Sequence, residues 1–298
     1  MKKLIMSLFI AVAAITSCSK DEAATEVVKT NSNLLTRIES TTTTAGSTNV
    51  QSSVNTLKYN GNKLSEIVGN DGDPPSFYSY TGDLITKIKS NDGPNFTNTS
   101  ENFYDINNKL KSKLEVSSET NNSGLVTIKK KKKVYTYNQD GTILEENFKI
   151  DNVTGIETKD NTETVYTYAN ENMVKSVKTF TSTITNSNNG IPVITTNKSV
   201  TTDTYQYDNK KNIITNILGF RKAAIGKFSS INNVVKETSK FESFTDNVLN
   251  PNSSVPTVRE YVFKYNENDY PIESSYIYTT SINQVISTKT SVSKYIYE

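Results

Sequence analysis

One short pattern recurs along this chain and limits what it can fold into. An aromatic residue leads into a polar turn of Asn, Asp or Gly, and an aliphatic residue follows a few positions on. Tyr59 turns through Asn60-Gly61-Asn62 to Leu64, and Tyr78-Ser79-Tyr80 through Thr81-Gly82-Asp83 to Leu84. Phe103-Tyr104-Asp105 turns through Asn107-Asn108 to Leu110, and Tyr135-Thr136-Tyr137 through Asn138 and Gly141 to Ile143. Tyr166-Thr167-Tyr168, Tyr205-Gln206-Tyr207, Phe228 and Phe263-Lys264-Tyr265 repeat it, ending at Val174, Ile213, Val234 and Ile272. Side chains alternate along a strand, so aromatic-x-aromatic puts two rings on one face. Asn, Asp and Gly supply the positive-φ positions of a tight turn. Each unit therefore reads as a β-hairpin. On the returning strands, Leu84 and Ile88 are expected to share a face, as are Leu110, Leu114 and Val116. Ile213-Ile214-Thr215-Asn216-Ile217-Leu218 has aliphatics at both parities and predicts a strand covered on both sides.

Between the hairpins lie longer, more variable connections, such as Asn91-Asp92-Gly93-Pro94 and Asn186 to Gly190. All seven prolines fall in these connections or at strand ends, where a missing amide does least harm. One end of the sheet thus has short uniform turns and the other long irregular ones. Variable loops on one rim are the expected place for a binding site. Leu34 to Thr44 reads as a first strand and Tyr276 to Tyr297 as a closing hairpin. The fold class is all-β, a large antiparallel up-and-down meander of hairpins. So many strands leave two edges unless the sheet curls into an open or closed barrel.

The chain opens with Met1-Lys2-Lys3, an apolar stretch from Leu4 to Ile15 and small residues, the form of a secretory signal peptide. Ile15-Thr16-Ser17-Cys18 resembles the lipobox of bacterial lipoproteins, which implies cleavage after Ser17 and acylation of Cys18, the one cysteine. The membrane would then be a partner through that anchor. Lys20, Asp21 and Glu22 after the cysteine look like the surface-export tag of Bacteroidota lipoproteins, which implies display on the outside of the outer membrane. The expected organisation is a signal peptide over 1–17, a flexible lipid-anchored tether over 18–32 and one β-domain over 33–298.

The hairpin pattern resembles the tyrosine–aspartate repeats of Rhs-type shell proteins, with Tyr104-Asp105 and Tyr207-Asp208 carrying the dipeptide. It is also similar to small Bacteroidota lipoproteins of unknown function with a porin-like sheet. The resemblance covers roughly residues 54–275 and implies a hairpin meander, with no activity attached.

Composition narrows the function. Removing residues 1–17 takes away Lys2 and Lys3 and no acid, leaving 31 basic against 31 acidic side chains. A neutral chain has no general electrostatic drive toward nucleic acid. Histidine is absent, which removes the usual general base and the commonest transition-metal ligand. No catalytic residue, metal site or cofactor is expected. A membrane-spanning barrel needs an unbroken apolar outer band. Stretches such as Lys175-Ser176-Val177-Lys178 argue against one.

Lys129, Lys130, Lys131, Lys132 and Lys133 form a run entering the Tyr135 strand. It reads either as a contact for an anionic surface or as a charged strand end that blocks edge pairing. Both readings require the lysines to be exposed. The repeated tyrosines read as structural anchors. Asp71-Gly72-Asp73 and Asn91-Asp92-Gly93 read as ordinary turns rather than calcium loops. Glu145 and Glu146 are adjacent on a strand and point to opposite faces, so they cannot act together. The functional expectation is a non-catalytic surface module that binds a glycan or an envelope or cell-surface protein. The alternative is a structural or accessory scaffold without a soluble ligand.

Overall fold

The computed structural model describes residues 33–298, apart from 47, 71–73, 92–94, 122, 189–190, 252–255 and 283–284. The described residues form seventeen strands in chain order. These are β1 (Leu35–Thr44), β2 (Val50–Asn60), β3 (Lys63–Gly69), β4 (Ser76–Thr81), β5 (Leu84–Asn91), β6 (Phe96–Tyr104), β7 (Leu110–Thr120), β8 (Val126–Tyr137) and β9 (Ile143–Ile150). They continue as β10 (Glu157–Ala169), β11 (Asn172–Asn188), β12 (Ile191–Lys211), β13 (Asn232–Thr245), β14 (Val248–Leu249), β15 (Thr257–Tyr265), β16 (Pro271–Ile282) and β17 (Val285–Tyr297). Apart from β14, each strand pairs antiparallel with the next; the two-residue β14 pairs with β13, and β15 reaches past it to pair with β13 as well. β17 returns to β1, with Ile38 opposite Tyr295 and Ser40 opposite Ser293. The meander therefore closes into a sixteen-stranded barrel that leaves β14 as a short accessory. Closure removes the open edges that a sheet of this length would otherwise expose.

Register explains why hydrophobic alternation is imperfect in the sequence. Six of the pairs around the short turns slip by one residue beside the last aromatic of the descending strand: Lys58/Tyr59, Ser79/Tyr80, Phe103/Tyr104, Thr167/Tyr168, Gln206/Tyr207 and Lys264/Tyr265. Such a β-bulge sets two residues of one strand against one of its partner and flips the parity beyond it. Ile85 lies opposite Tyr80 and Ile88 opposite Tyr78. Ile85 and Ile88 therefore share the inner face, and Leu84 does not, contrary to simple alternation. Leu110 faces Tyr104 while Ser112 faces Phe103, so Leu110 points opposite to Leu114 and Val116.

A second departure is larger. Residues 212–231 form no strand; they fold as turns with two single-turn 3-10 helices, Arg221–Ala223 and Lys227–Ser229. The doubly covered strand expected from Ile213 to Leu218, and the hairpin expected at Phe228, are replaced by this segment. It plugs the short-turn end of the barrel. Ile214 and Ile217 are buried with Leu35, Leu57 and Leu64, against Tyr59, Tyr78 and Phe220. Ile225 packs on a second cluster of Leu110, Tyr135 and Ile143. The aliphatics fall at both parities because the segment lies across the lumen, with wall on more than one side. The first and last strands meet at this same end, where Leu34 and Glu298 exchange backbone hydrogen bonds of 3.0 Å.

The outer face follows from the same register. Lys58–Glu66, Lys87–Glu101, Lys132–Glu157, Lys159–Glu146, Lys236–Glu260 and Lys264–Glu273 are ion pairs of 2.6–3.0 Å. Five join neighbouring strands and Lys132–Glu157 reaches across β9 from β8 to β10, all on the side away from the inward tyrosines. The outside is thus crossed by paired charges, where a membrane barrel carries an apolar band. Within Lys175 to Lys178, alternation sends Lys175 and Val177 outward and Ser176 and Lys178 inward.

Candidate functional site

The short-turn end is organised by a ring of tyrosine hydroxyls. Tyr59 donates to Leu35 O (2.7 Å), Tyr104 to Ile85 O (2.7 Å), Tyr137 to Leu110 O (3.1 Å), Tyr207 to Met173 O (2.6 Å) and Tyr297 to Pro271 O (2.8 Å). In each case the hydroxyl reaches a carbonyl at the start of the preceding strand. One buried aliphatic and one tyrosine per hairpin therefore lock neighbouring hairpins together. A buried phenol must keep a partner, and these do. Burial pushes the Tyr78, Tyr104, Tyr137 and Tyr207 hydroxyls up to about 12. The repeat is therefore a structural anchor.

Two positions of the ring are diverted to the plug. Tyr80 donates to Leu218 O (3.2 Å), and Tyr168 bonds Ser229 Oγ (3.0 Å) while accepting from Gly226 N–H (2.8 Å). Asn172 Oδ1 accepts from the amides of Ile231 and Asn232, both at 3.1 Å, fixing the exit of the segment. Gly219 has φ +74°, and a Cβ there would stand 2.4 Å from Asp83 O. Only glycine permits both that backbone conformation and that approach to the β4–β5 turn.

Between the plug and the turns of β6–β7, β8–β9 and β10–β11 lies a cleft of about 900 Å³. Leu110, Ile143, Ile217 and Ile225 contribute apolar surface to it, and Asn107, Asn138, Glu171 and Arg221 polar groups. Tyr137, 37% exposed, borders it, and Lys109 Nζ stands 5.0 Å from the ring centre. Arg221 is oriented by donating its Nε–H to Ser229 O (2.9 Å) and by Glu171 (3.4 Å). The cleft combines apolar surface with fixed donors and acceptors, as small-molecule sites do. It sits at the short-turn end, opposite to the long-loop rim where sequence reasoning expects a site. Arg221, Gly219 and Gly226 carry no motif; the two glycines that follow the stretch Ile213 to Leu218, with its aliphatics at both parities, were the available signal.

The residues singled out in the sequence are dispersed. Cys18, Lys20, Asp21, Glu22 and the Asp71-Gly72-Asp73 turn lie outside the described residues, as do Asp92 and Gly93. The lysine run divides by parity. Lys129, Lys131 and Lys133 share the inner face with Tyr135, and Lys130 and Lys132 lie outside. Lys129 and Lys131 are exposed, and Lys130, Lys132 and Lys133 are half-buried. Glu145 accepts from Tyr166 inside the barrel (3.0 Å), and Glu146 pairs with Lys159 outside (2.6 Å), so the two carboxylates are separated by the sheet. Among the described residues no group of three acidic, His or Cys side chains is placed to hold a metal ion.

Neither a protein-family model nor a curated protein matches the sequence. Among solved structures, a porin-like protein from Bacteroides vulgatus ATCC 8482 is 12% identical, with a TM-score of 0.49 over 89% of this chain and 99% of that one. A porin-like protein from Bacteroides uniformis ATCC 8492 is 9% identical, with a TM-score of 0.48 over 89% of this chain and 98% of that one.

Proposed function

We propose that the chain is a non-catalytic, lipid-anchored protein of the outer membrane, displayed to the exterior, that binds a glycan in the cleft beside the plug. The observation that carries this reading is the cleft itself. It offers apolar surface, one partly open aromatic ring, and amide, carboxylate and guanidinium groups held by their own hydrogen bonds. A sugar has the matching character, with apolar ring faces edged by hydroxyls. The lipobox-like Cys18 and the charged residues after it support the location, and the paired charges of the outer face suit a barrel held at the membrane by its anchor. The test is thermal unfolding of the mature protein in neutral detergent against neutral polysaccharides. A ligand at a hundredfold excess over its Kd stabilises the folded state by about 2.7 kcal/mol. The expected result is a raised midpoint with one glycan class, lost in Tyr137→Ala. No shift with any of them would contradict glycan binding in the cleft.

A specific observation favours a scaffold role as second reading. Val258, Val262 and Ile277 are 45%, 67% and 61% exposed on the outer face of β15 and β16, where register makes them diagonal neighbours. Exposed apolar clusters mark protein partners. Crosslinking in the intact envelope that captures one partner, and loses it in Val262→Lys, would support that role.

A further inference from the structure

The inner wall formed by β7, β8 and β9 holds more positive charge than its ion pairs neutralise. Antiparallel partners share a face. Lys113 lies opposite Lys133, Glu115 opposite Lys131, and Ser117 opposite Lys129. On the other side of β8, Lys131 faces Lys149. This face is the lumen, because Lys113 is also the partner of Asn102, which is 4% exposed, and because Lys133 is two residues from buried Tyr135.

Three acids of this wall are engaged, and the fourth, Glu119, is set diagonally from Lys129 with no ion pair among the described residues. Glu115 pairs with Lys133 (3.5 Å), Asp160 with Lys149 (3.6 Å), and Glu145 accepts from Tyr166. Glu119 stands farther along, opposite Thr127. Lys113, Lys129 and Lys131 have no ion pair among the described residues. Like charges placed directly opposite destabilise a sheet, and the Lys113–Lys133 pair is such a placement. Burial, and then Lys133, lowers the Lys113 ammonium pKa. The contrast with the outside of the same strand is informative, since Lys132 has Glu157 at 2.8 Å. Ser100 and Asn102, the partners of Glu115 and Lys113, add Ser100 Oγ and Asn102 Oδ1, buried without a hydrogen-bond partner. Unmet charge and unmet hydrogen-bonding capacity thus occupy one wall. Lys129 and Lys131 are exposed although they face the lumen, so that height of the barrel is wide and reachable.

We propose that this wall, with Lys113, Lys129, Lys131, Lys133 and Lys149, is a second binding site that takes an acidic polysaccharide by its carboxylate or sulfate groups. Positions two apart on a strand are about 7 Å apart, so Lys129, Lys131 and Lys133 form a ladder suited to a chain with repeated anionic groups. Asn147 and Ser117 on the same face suit its hydroxyls. The site is distinct from the cleft and does not depend on it.

The test measures binding of polygalacturonate and dextran sulfate, with neutral dextran and polyphosphate as comparisons, to the mature protein in neutral detergent. The expected result is binding of the two acidic polysaccharides and not of dextran. It should weaken steeply from about 0.01 M to about 1 M salt, as the screening length falls from about 30 Å to about 3 Å. The triple variant Lys113→Gln/Lys129→Gln/Lys131→Gln should lose about tenfold in affinity or more, and Lys131→Gln alone, at an exposed side chain, about twofold to fivefold. The outer double variant Lys130→Gln/Lys132→Gln should stay within about twofold. Absence of binding, affinity retained in both lumen variants, or loss in the outer variant instead would overturn the proposal. Polyphosphate held as tightly as the sugars would overturn the polysaccharide assignment. The acidic probes are scored by the lumen lysines and the neutral panel by Tyr137, so the two sites fail separately.

Discussion

The plugged end of the barrel and the long-turn end are made from the same strands and have different interiors. At the plugged end Leu35, Leu64, Ile85 and Leu110 are at most 1% exposed, and tyrosine hydroxyls close over them onto backbone carbonyls. Farther along, the inward positions of the same strands are Ser40, Thr42, Ser117 and Lys129, and the contacts there are hydroxyl pairs such as Ser40–Ser293 at 2.8 Å. The difference lies in what crosses the lumen. Where residues 212–231 pass through, aliphatic and aromatic inward side chains have apolar partners, and the buried Glu237 is paired with Lys227 of the plug. Where no described residue passes through, polar side chains predominate, and the inward Phe180 and Phe241 are left exposed. A wide barrel needs a core only where something fills it, and stability is concentrated there.

Leu64→Ala should show the contrast most strongly, costing about 2–5 kcal/mol, since it empties the cluster beneath the plug. Ser40→Ala, at an inward position of the other half, should change denaturant stability by no more than about 0.5 kcal/mol. Equal effects would break the comparison. Gly219→Ala should cost about 1–3 kcal/mol, because it combines a positive φ with a clash at Asp83 O. Tyr104→Phe, which leaves Ile85 O with Asn102 Nδ2 (2.9 Å) as its one remaining side-chain donor, should cost about 1 kcal/mol or less. Alkali sharpens the same contrast. Tyr78, Tyr104 and Tyr137 are raised to about 12, by burial before any neighbour, against 10.0 when unfolded. The unfolded chain loses those protons first, so their contribution is complete below pH 10 and is lost as pH rises from 10 toward 12. Tyrosinate absorbance in the native protein should therefore lag behind that of the denatured chain. The smallest effect belongs to the outer face, where Lys58→Ala should cost less than about 1 kcal/mol because its pair with Glu66 is solvated.

Much of the fold was legible because each hairpin carries its own signal. Tyr-Thr-Tyr, Asn138 to Gly141 and Ile143 specify strand, turn and strand within a few residues, and antiparallel neighbours follow from short turns. The bulges were not legible, since a slip of one residue at Ile85 or Leu110 leaves the local composition unchanged. The plug was misread for a physical reason. A strand covered on both faces and a segment lying across a lumen both require aliphatics at both parities, so Ile213 to Leu218 satisfies either. The cleft is assembled from several turns and the plug, and no single stretch encodes it. The division of the lysine run, by contrast, follows from strand parity alone.

The central claim is that residues 212–231 and the tyrosine ring hold the barrel together from one end. Native-state hydrogen exchange of the mature protein tests it most directly, because amide protection reports local opening free energies. The prediction is slowest exchange at the plugged ends of the strands, around Tyr59 to Ile67, Tyr80 to Ile88 and Tyr135 to Glu145, with the amides of Gly226 and Ile231 protected alongside them. Faster exchange at those sites than at the long-turn ends of β11 and β12, or an unprotected 212–231 segment in an otherwise protected barrel, would contradict it.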